Sequence, residues 1–253
     1  MANWQWFHRL GSPKWLLATI NRWLPWLLAG SFSLLLLGLV WGLAFAPADY
    51  KQGNSFRIIY LHVPTAVVAL AGYYAMAIAG AITIIWRMKV ADMALRAIAP
   101  VGATMTFLAL LTGAIWGKPT WGAYWVWADA RLTSMLILLF LYLGVIALYD
   151  AYRDRSSGGR AAAILALVGT VNVPIIYKSV DWWASLHQPA SIKFSEAPTI
   201  ATDMLYPLLL TIPGLYLFFA VAVLLQLRLQ IIQRERRSQW LTEIAKESHP
   251  LSQ

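Results

Sequence analysis

The sequence predicts an all-α integral membrane protein with six transmembrane helices and both termini in the cytoplasm. Hydrophobic residues make up 60% of the 253 positions and charged residues only 12%, which excludes an ordinary soluble domain. Six apolar stretches approach the ~20 residues that cross the hydrocarbon core of a bilayer. The basic residues fall mostly on one side of these stretches, which orients them. Together these observations predict a single polytopic membrane domain.

The apolar stretches define the predicted spans, which are residues 24–45, 63–86, 97–116, 132–149, 161–177 and 204–227. The start of the chain is polar and shows no small-residue cleavage site, so the first span is interpreted as a retained anchor rather than a signal peptide. Residues 117–131 then form an outward Trp-rich loop, and residues 228–253 form a cytoplasmic tail.

Orientation follows from the positive-inside rule. Fourteen of the twenty Lys and Arg residues flank one side of the spans: Arg9, Lys14, Arg22, Arg87, Lys89, Arg96, Arg153, Arg155, Arg160, Arg228, Arg234, Arg236, Arg237 and Lys246. The other side has six: Lys51, Arg57, Lys118, Arg131, Lys178 and Lys193. The side with fourteen is predicted to be cytoplasmic. The net charge of +9 is then a consequence of topology with some affinity for membrane lipid, and it gives no reason to expect nucleic acid.

Several function classes are disfavoured by what the spans lack. None of the predicted spans contains Asp, Glu, Lys, Arg or His, the usual marks of pumps and ion-coupled transporters. No phosphate-binding loop is present, so any ATP-driven step must belong to another subunit. No cysteine is present either, which removes disulfides and thiolate metal ligands. The functional residues are therefore expected in the connections.

The outward connection at residues 116–131 has an unusual aromatic content. It contains Trp116, Trp121, Tyr124, Trp125 and Trp127, interrupted by glycine and proline. A membrane-interface belt accounts for one or two indoles but not readily for four. Flat aromatic faces crowded beside charged groups favour stacking against a large, planar, apolar ligand, and a porphyrin fits that description.

Two histidines are predicted on the same side as this loop. His62 precedes the second span, with Pro64 suited to the first helical turn. His187 lies in the third outward connection, and Trp183 would share its helix face if that stretch were helical. A lone interface histidine is more often only a polar surface residue. Paired with the aromatic loop, however, two imidazoles suit the axial positions of haem iron. Arg57, Lys118, Arg131 and Lys178 are available for the propionates.

The stretch Trp121-Gly-Ala-Tyr-Trp-Val-Trp-Ala-Asp-Ala-Arg131 resembles the tryptophan-rich signature of the WWD haem-handling proteins. Within that group, three further segments resemble the family of haem exporter C proteins (CcmC) of bacterial cytochrome c maturation. These segments are Ala46-Pro-Ala-Asp-Tyr50, Tyr60-Leu-His-Val-Pro64 and the pair Trp182 and Trp183 followed by Leu186-His-Gln188. The resemblance covers residues 20 to 240.

The resemblance implies a multi-pass protein of the bacterial inner membrane that is not an enzyme. It would hold haem b transiently and non-covalently on the periplasmic side, between His62 and His187 and against Trp121, Trp125, Trp127 and Asp129. The implied partners are a periplasmic haem chaperone, the ATPase and membrane subunits of an ABC transporter, and a small single-span membrane protein. One departure stands out, because Ala128 separates Trp127 from Asp129 where the family pattern has them adjacent.

Three other functions remain as alternatives. An electron-transfer cytochrome b subunit usually buries its paired histidines inside helices, and no predicted span contains one. A transporter that moves haem across the inner membrane through its own bundle is compatible with apolar spans, although nothing in the sequence marks a path. A structural membrane subunit with a heavy aromatic belt is the third. The absorption spectrum of the purified protein separates these possibilities.

Overall fold

The computed structural model describes residues 9, 11–183, 185–188 and 197–248. Within these ranges, six helical segments are long and apolar enough to cross a membrane. The same ranges contain no β-strand, and their only bridge is an isolated antiparallel pair between Asp49 and Gly53. The predicted fold class, an all-α protein with six transmembrane helices, is confirmed.

The first crossing consists of α1, Pro13–Val40, and a π-helical turn, Trp41–Phe45. A 3-10 turn, Asn54–Ile58, leads into α2, Ile59–Trp86, and α3 is Lys89–Trp121. The fourth crossing is α4, Ala130–Ala151. The fifth consists of two shorter helices, α5, Arg155–Gly169, and α6, Asn172–Trp182. The sixth is α7, Thr202–Glu235, which is followed by the short α8, Gln239–Ser248.

The helices extend beyond the predicted spans. Trp116, Lys118 and Trp121 therefore lie on the last turns of α3, and only residues 122–129 connect it to α4. Pro64 is inside α2 rather than in its first turn, because a 3-10 turn precedes the helix and carries the chain into it. Of the predicted connections, residues 184 and 189–196 lie outside the described residues, as do residues 249–253 of the predicted tail.

The bundle is arranged around α2, α3 and α4. The first helix, α1, packs against α7, while α2 packs against α3, α5 and α7, and α4 packs against α3, α5 and α6. At the centre, the rings of Tyr73 and Tyr142 meet edge to face with their centroids 5.0 Å apart. Gly102 makes this possible, since a Cβ there would lie 2.2 Å from the Tyr142 ring. The connections α1–α2, α3–α4 and α6–α7 all lie at one end, called here the site end, and the other is the tail end.

A polar cluster joins three helices at the tail end. Asp92 of α3 pairs with Arg234 of α7 at 2.5 Å and accepts a hydrogen bond from the hydroxyl of Tyr149 of α4 at 2.8 Å. Nearby, Trp240 and Leu241 of α8 pack against an apolar cluster formed by α1, α3 and α7. The short helix α8 therefore contacts its own bundle.

Candidate functional site

His62 lies on the face of α2 that packs against α3. Its Nδ1 is 3.0 Å from the hydroxyl oxygen of Thr112. That hydroxyl has one proton, which it donates to the carbonyl of Leu108 at 2.7 Å, so it accepts from His62. The imidazole consequently carries its proton on Nδ1. Its Nε2 retains a lone pair that can bind a metal.

The neighbours of His62 fix the position of its ring. A Cβ at Gly113 would lie 2.9 Å from His62 Cε1, so only glycine lets α3 approach this closely. The Trp116 ring meets the imidazole edge to face at a centroid distance of 5.6 Å. The indole is held in turn by the side-chain oxygen of Gln52, which accepts from its Nε1 at 2.7 Å. The connection that carries Gln52 turns at Gly53, whose φ of 58° favours glycine.

His187 lies beyond the end of α6 and is held by Asp129. The imidazole Nδ1 is 3.5 Å from Asp129 Oδ1, longer than a good hydrogen bond, and no other described acceptor serves that nitrogen. The other carboxylate oxygen accepts from the hydroxyl of Ser185 and from the backbone N–H of Leu186, both at 2.8 Å. The Trp121 ring lies 4.8 Å from the imidazole centroid.

Asp129 is also the N-cap of α4. Its Oδ1 accepts the backbone N–H groups of Arg131 and Leu132, each at 3.0 Å, which satisfies two of the free donors at the start of the helix. The residue is only 2% exposed. One buried carboxylate therefore connects the first turn of α4 to the segment that carries His187, although the two are more than fifty residues apart in the sequence.

Burial and hydrogen bonding set the charges of this pair. Burial lowers the pKa of His187 to about 4, although the Asp129 carboxylate acts in the opposite direction. Burial alone would raise the pKa of Asp129, but hydrogen bonds from Leu132, Leu186 and Ser185 bring it below its usual value. At neutral pH the pair is a carboxylate facing a neutral imidazole. A carboxylate near Nδ1 favours the tautomer whose free lone pair is on Nε2.

Ala128, which separates Trp127 from Asp129, lies in the turn before α4. The Asp129 N–H donates to the carbonyl of Val126 at 3.1 Å, and the Thr133 hydroxyl donates to the carbonyl of Trp127 at 2.9 Å. Asp129 thus keeps its capping position. Trp127 is 73% exposed and meets Trp125 edge to face at 5.4 Å. Trp125 packs against the core of the bundle, and its buried Nε1 has no partner among the described residues.

The cations predicted near the site contact backbone carbonyls. Arg57 donates to the carbonyls of Leu43 and Ala46 at the end of the π-helical turn, at 2.9 and 2.7 Å. Arg131 donates to the hydroxyl of Ser179 and the carbonyl of Tyr177, both at 3.2 Å. Both arginines therefore connect segments of the chain that are apart in the sequence.

The two predicted lysines are more accessible. Lys118 donates to the carbonyl of Gly122 at 3.1 Å, and its amine lies 5.5 Å from the ring of the exposed Tyr124. Lys178 pairs with Asp181 at 3.0 Å. Both amines are exposed and free to turn towards a carboxylate ligand.

The helical pairing of Trp183 with His187 is not formed. The helix α6 ends at Trp182, and Trp183 is extended, with φ −131° and ψ 159°. The two indoles instead meet edge to face at 5.7 Å, and both are largely exposed. The condition for that pairing, a helix through His187, is not met, because the chain leaves the helix and Ser185 and Leu186 donate to Asp129.

The arrangement brings two neutral imidazoles together at one end of the bundle. His62 contacts Trp116 and His187 contacts Trp121, and both indoles lie on the last turns of α3. Each imidazole has its Nδ1 directed at a protein acceptor, which leaves two Nε2 atoms for a ligand. Among the described residues, no group of three or more histidine or carboxylate side chains could hold a metal ion. Two axial nitrogens suit an iron whose other four ligands come from a porphyrin.

Sequence reasoning missed the residues that orient the two imidazoles. Thr112 and Gly113 lie inside an apolar span, and Gln52 and Ser185 lie in ordinary connections. No motif marks them, because each acts through a contact with a residue remote in the sequence. Asp129 was singled out only by resemblance.

The comparisons with known proteins all indicate the same family. The family described as "Heme exporter protein C" matches residues 6–242. The protein of that name from Haemophilus influenzae is 48% identical over 242 residues, covering 96% of this chain and 98% of the relative. The one from Escherichia coli K12 is 49% identical over 241 residues, covering 95% and 97%. The one from Rhodobacter capsulatus is 38% identical over 228 residues, covering 90% and 94%.

Proposed function

The chain belongs to the haem exporter protein C family, and from this premise we propose that it binds haem b at the outer surface of the bacterial inner membrane. His62 and His187 are the axial ligands, and binding is transient and non-covalent. The protein presents the haem to a periplasmic chaperone during cytochrome c maturation. It is a haem-handling component and not an enzyme.

The observation that carries this proposal is that the protein faces the same nitrogen, Nδ1, of both imidazoles and leaves Nε2 of each ring free. Thr112 holds Nδ1 of His62, and Asp129 faces Nδ1 of His187, so both rings offer Nε2. Burial keeps His187 neutral at physiological pH, and only a neutral imidazole binds iron. Histidines that serve only as polar surface groups need neither a buried carboxylate partner nor a glycine notch.

The surroundings suit a porphyrin with one accessible edge. Trp116 and Trp121 contact the imidazoles themselves, so they set ligand orientation as well as apolar surface. The accessible amine of Lys118 is a donor suited to propionate carboxylates, and the buried Nε1–H of Trp125 is a donor without an acceptor among the described residues. Exposed Tyr124 and Trp127 extend the aromatic surface away from the bundle.

Haem that is passed on must stay reachable, which supports a site at the membrane surface. The exposed indoles of Trp127, Trp182 and Trp183 at the site end provide an aromatic contact area for the chaperone.

The ABC transporter subunits and the single-span protein are proposed as further partners. Because the chain has no phosphate-binding loop, ATP hydrolysis belongs to the ATPase. We expect the complex of this protein, haem and chaperone to form without ATP, and hydrolysis to drive its release.

Reconstitution with purified partners tests this order of events. A transporter with an inactive ATPase should still permit haem loading of the chaperone and should block only its release. Loss of loading itself would contradict the proposal.

The variant Trp127→Ala should slow loading without changing the haem spectrum, since this indole is exposed and does not contact either imidazole.

The orientation of the site is tested separately. The chain contains no cysteine, so a single Trp127→Cys variant can be labelled in whole cells with a membrane-impermeant maleimide, with Gln239→Cys, which is also exposed, as the matched control at the tail end. Labelling of the first and protection of the second is the expected result. The reverse pattern would place the site in the cytoplasm.

A further inference from the structure

Building on the proposed function, we propose that α6 with Trp183 and residues 185–188 is a hinged arm that carries His187 onto and off the iron. This unit is called the His187 arm. His62 is the fixed ligand, and Arg131 and Ser179 are positioning residues that hold the arm in the ligating position. His187 is therefore the ligand that leaves first when haem is handed over.

The hinge is a break in the fifth crossing. The helix α5 ends at Gly169, and α6 begins at Asn172. Through the break, the N–H groups of Thr170, Val171 and Val173 donate to carbonyls only three residues earlier, at 3.2, 3.4 and 3.1 Å. Pro174 has no N–H to continue the helical pattern. A helix interrupted within a membrane span can bend where its backbone bonds are already replaced.

The two sides of the break are held differently. On the α5 side, Gly169 fits tightly under Tyr73, and a Cβ there would lie 2.1 Å from its hydroxyl oxygen. The helix α5 packs against both α2 and α4, whereas α6 packs mainly against α4. Val171 at the break is 65% exposed. The α5 side is therefore anchored in the bundle, and the α6 side depends on one neighbour.

That neighbour holds the arm through the start of α4. Asn172 at the base of the arm donates to the carbonyl of Ser134 at 2.9 Å. Arg131 donates to the hydroxyl of Ser179 and the carbonyl of Tyr177 farther along. At the tip, Asp129 accepts from the segment that carries His187. All these polar contacts come from Asp129 and the first turns of α4, and Val173 and Ile176 of α6 pack into the core beside them. The arm therefore detaches as a unit when this one interface is released.

His62 has no comparable joint. It is part of the continuous helix α2, which runs from Ile59 to Trp86, and it lies in a notch of the equally continuous α3. Moving His62 would require separating two helices that pack along their length. Moving His187 requires bending at the break and release of the contacts of one short helix, including the buried side chains of Val173 and Ile176. The two ligands therefore differ in mobility, because His62 lies in a continuous helix and His187 lies beyond a break between two helices.

A pair of serine variants tests the positioning role. The hydroxyl of Ser179 accepts from Arg131 across to α4, whereas that of Ser134 donates only within its own helix. Both residues are buried, so neither touches haem. We expect Ser179→Ala to retain haem but to show a several-fold larger high-spin, five-coordinate fraction, which added imidazole converts back to low-spin. Ser134→Ala should match the parent protein. Equal spectra for the two variants would overturn the proposal.

Arginine variants separate the positioning role from propionate binding. The planar guanidinium of Arg131 donates to both the Ser179 hydroxyl and the Tyr177 carbonyl. Lysine keeps the positive charge but lacks this forked geometry. If Arg131 holds the arm, Arg131→Lys should show the high-spin fraction of Arg131→Gln. If Arg131→Lys instead behaves as the parent while Arg131→Gln loses haem, the residue acts through its charge and the arm assignment is wrong.

A distance measurement on the haem-free protein needs no haem chemistry. Since the chain has no cysteine, nitroxide labels can be placed on exposed positions Tyr177 of the arm and Phe140 of α4, with Val168 of α5 and Phe140 as the control pair. Ser179→Ala should broaden the distance distribution of the first pair and leave the second unchanged. Unchanged distributions for both pairs would exclude a hinged arm. A wild-type protein that binds no haem would overturn the proposed function and leave this comparison intact.

Discussion

At the residue scale, Asp129 combines two tasks in one carboxylate. One oxygen caps α4, and the other holds the segment that carries His187. Because the carboxylate is buried and fully hydrogen-bonded, its position is fixed by the fold rather than by the ligand. In the proposed function it would orient the His187 imidazole before haem binds, as the carboxylate partners of metal-bound histidines do.

The variant Asp129→Asn separates the two tasks. Asparagine is an equally good N-cap, so α4 should remain intact. The amide has one acceptor oxygen for the cap, but its NH2 group cannot accept from the N–H of Leu186, and it no longer makes the imidazole a stronger electron donor. We therefore expect weaker haem retention and, for the haem that stays bound, a higher reduction potential, measured by redox titration. Asp181→Asn is the control, because that carboxylate pairs with Lys178 on the surface. An unchanged potential in Asp129→Asn would show that the carboxylate does not act on the ligand.

The pH dependence of haem retention follows from the lowered pKa of His187. An exposed histidine is half protonated near pH 6.5, whereas this one stays neutral down to about pH 4. Haem retention should thus be level from pH 8 to 5 and fall only towards pH 4. The unfolded chain takes up this proton at higher pH than the folded one, so the haem-free protein should lose thermal stability as pH falls from about 6.5 to 4. Half-loss of haem near pH 6.5 would contradict the assignment.

At the element scale, the close approach of α2 and α3 determines where His62 lies. Gly113→Ala should displace the imidazole, since its new Cβ would lie 2.9 Å from His62 Cε1. Alanine favours a helix over glycine by about 1 kcal/mol, so lost haem occupancy could not be attributed to a weakened α3. Gly30→Ala on α1 is the control, because its Cβ meets nothing nearer than 3.5 Å. Equal haem occupancy in both variants would refute this role of Gly113.

Much of the architecture was predictable from the sequence, and the site only in part. Apolar stretches predict the six crossings because membrane helices must be apolar along their length. His187 lies in the connection expected from the sequence, whereas His62, expected just before the second span, lies inside α2 because the helix begins at Ile59. The break between α5 and α6 was not predicted, since residues 161–177 contain no charged residue and Pro174 alone does not end a helix in a membrane.

The tasks of the arginines were also not predictable. Arg57 and Arg131 were expected at propionates because a guanidinium suits carboxylates. In the fold Arg57 donates to carbonyls at the end of the π-helical turn, and Arg131 donates to a carbonyl of α6. Such partners are set by the tertiary arrangement and leave no pattern in the sequence. The same holds for Thr112 and Gly113, which are ordinary helix residues until α2 packs against them.

At the scale of the whole molecule, the two ends of the bundle are stabilised independently. The site end depends on Asp129 and the imidazoles, and the tail end on the cluster of Asp92, Tyr149 and Arg234. Breaking this mostly buried cluster with Arg234→Gln should cost about 1–3 kcal/mol and lower the melting temperature. The haem spectrum should not change.

The matched control for the tail end is Arg96→Gln. Arg96 pairs with Asp150 at 3.3 Å, but both side chains are exposed, so its loss should cost less than about 1 kcal/mol. A changed haem spectrum in Arg234→Gln would mean that the two ends are coupled through the helices.

The absorption spectrum of the purified protein, with and without its two outward histidines, tests the central claim most directly. The wild-type protein should carry sub-stoichiometric haem b with a low-spin, bis-histidine spectrum. His62→Ala and His187→Ala should each weaken retention or change the spectrum, and the double variant should lose the low-spin signal. If the double variant keeps the haem content and spectrum of the wild type, His62 and His187 are not the ligands and the account of the site is wrong.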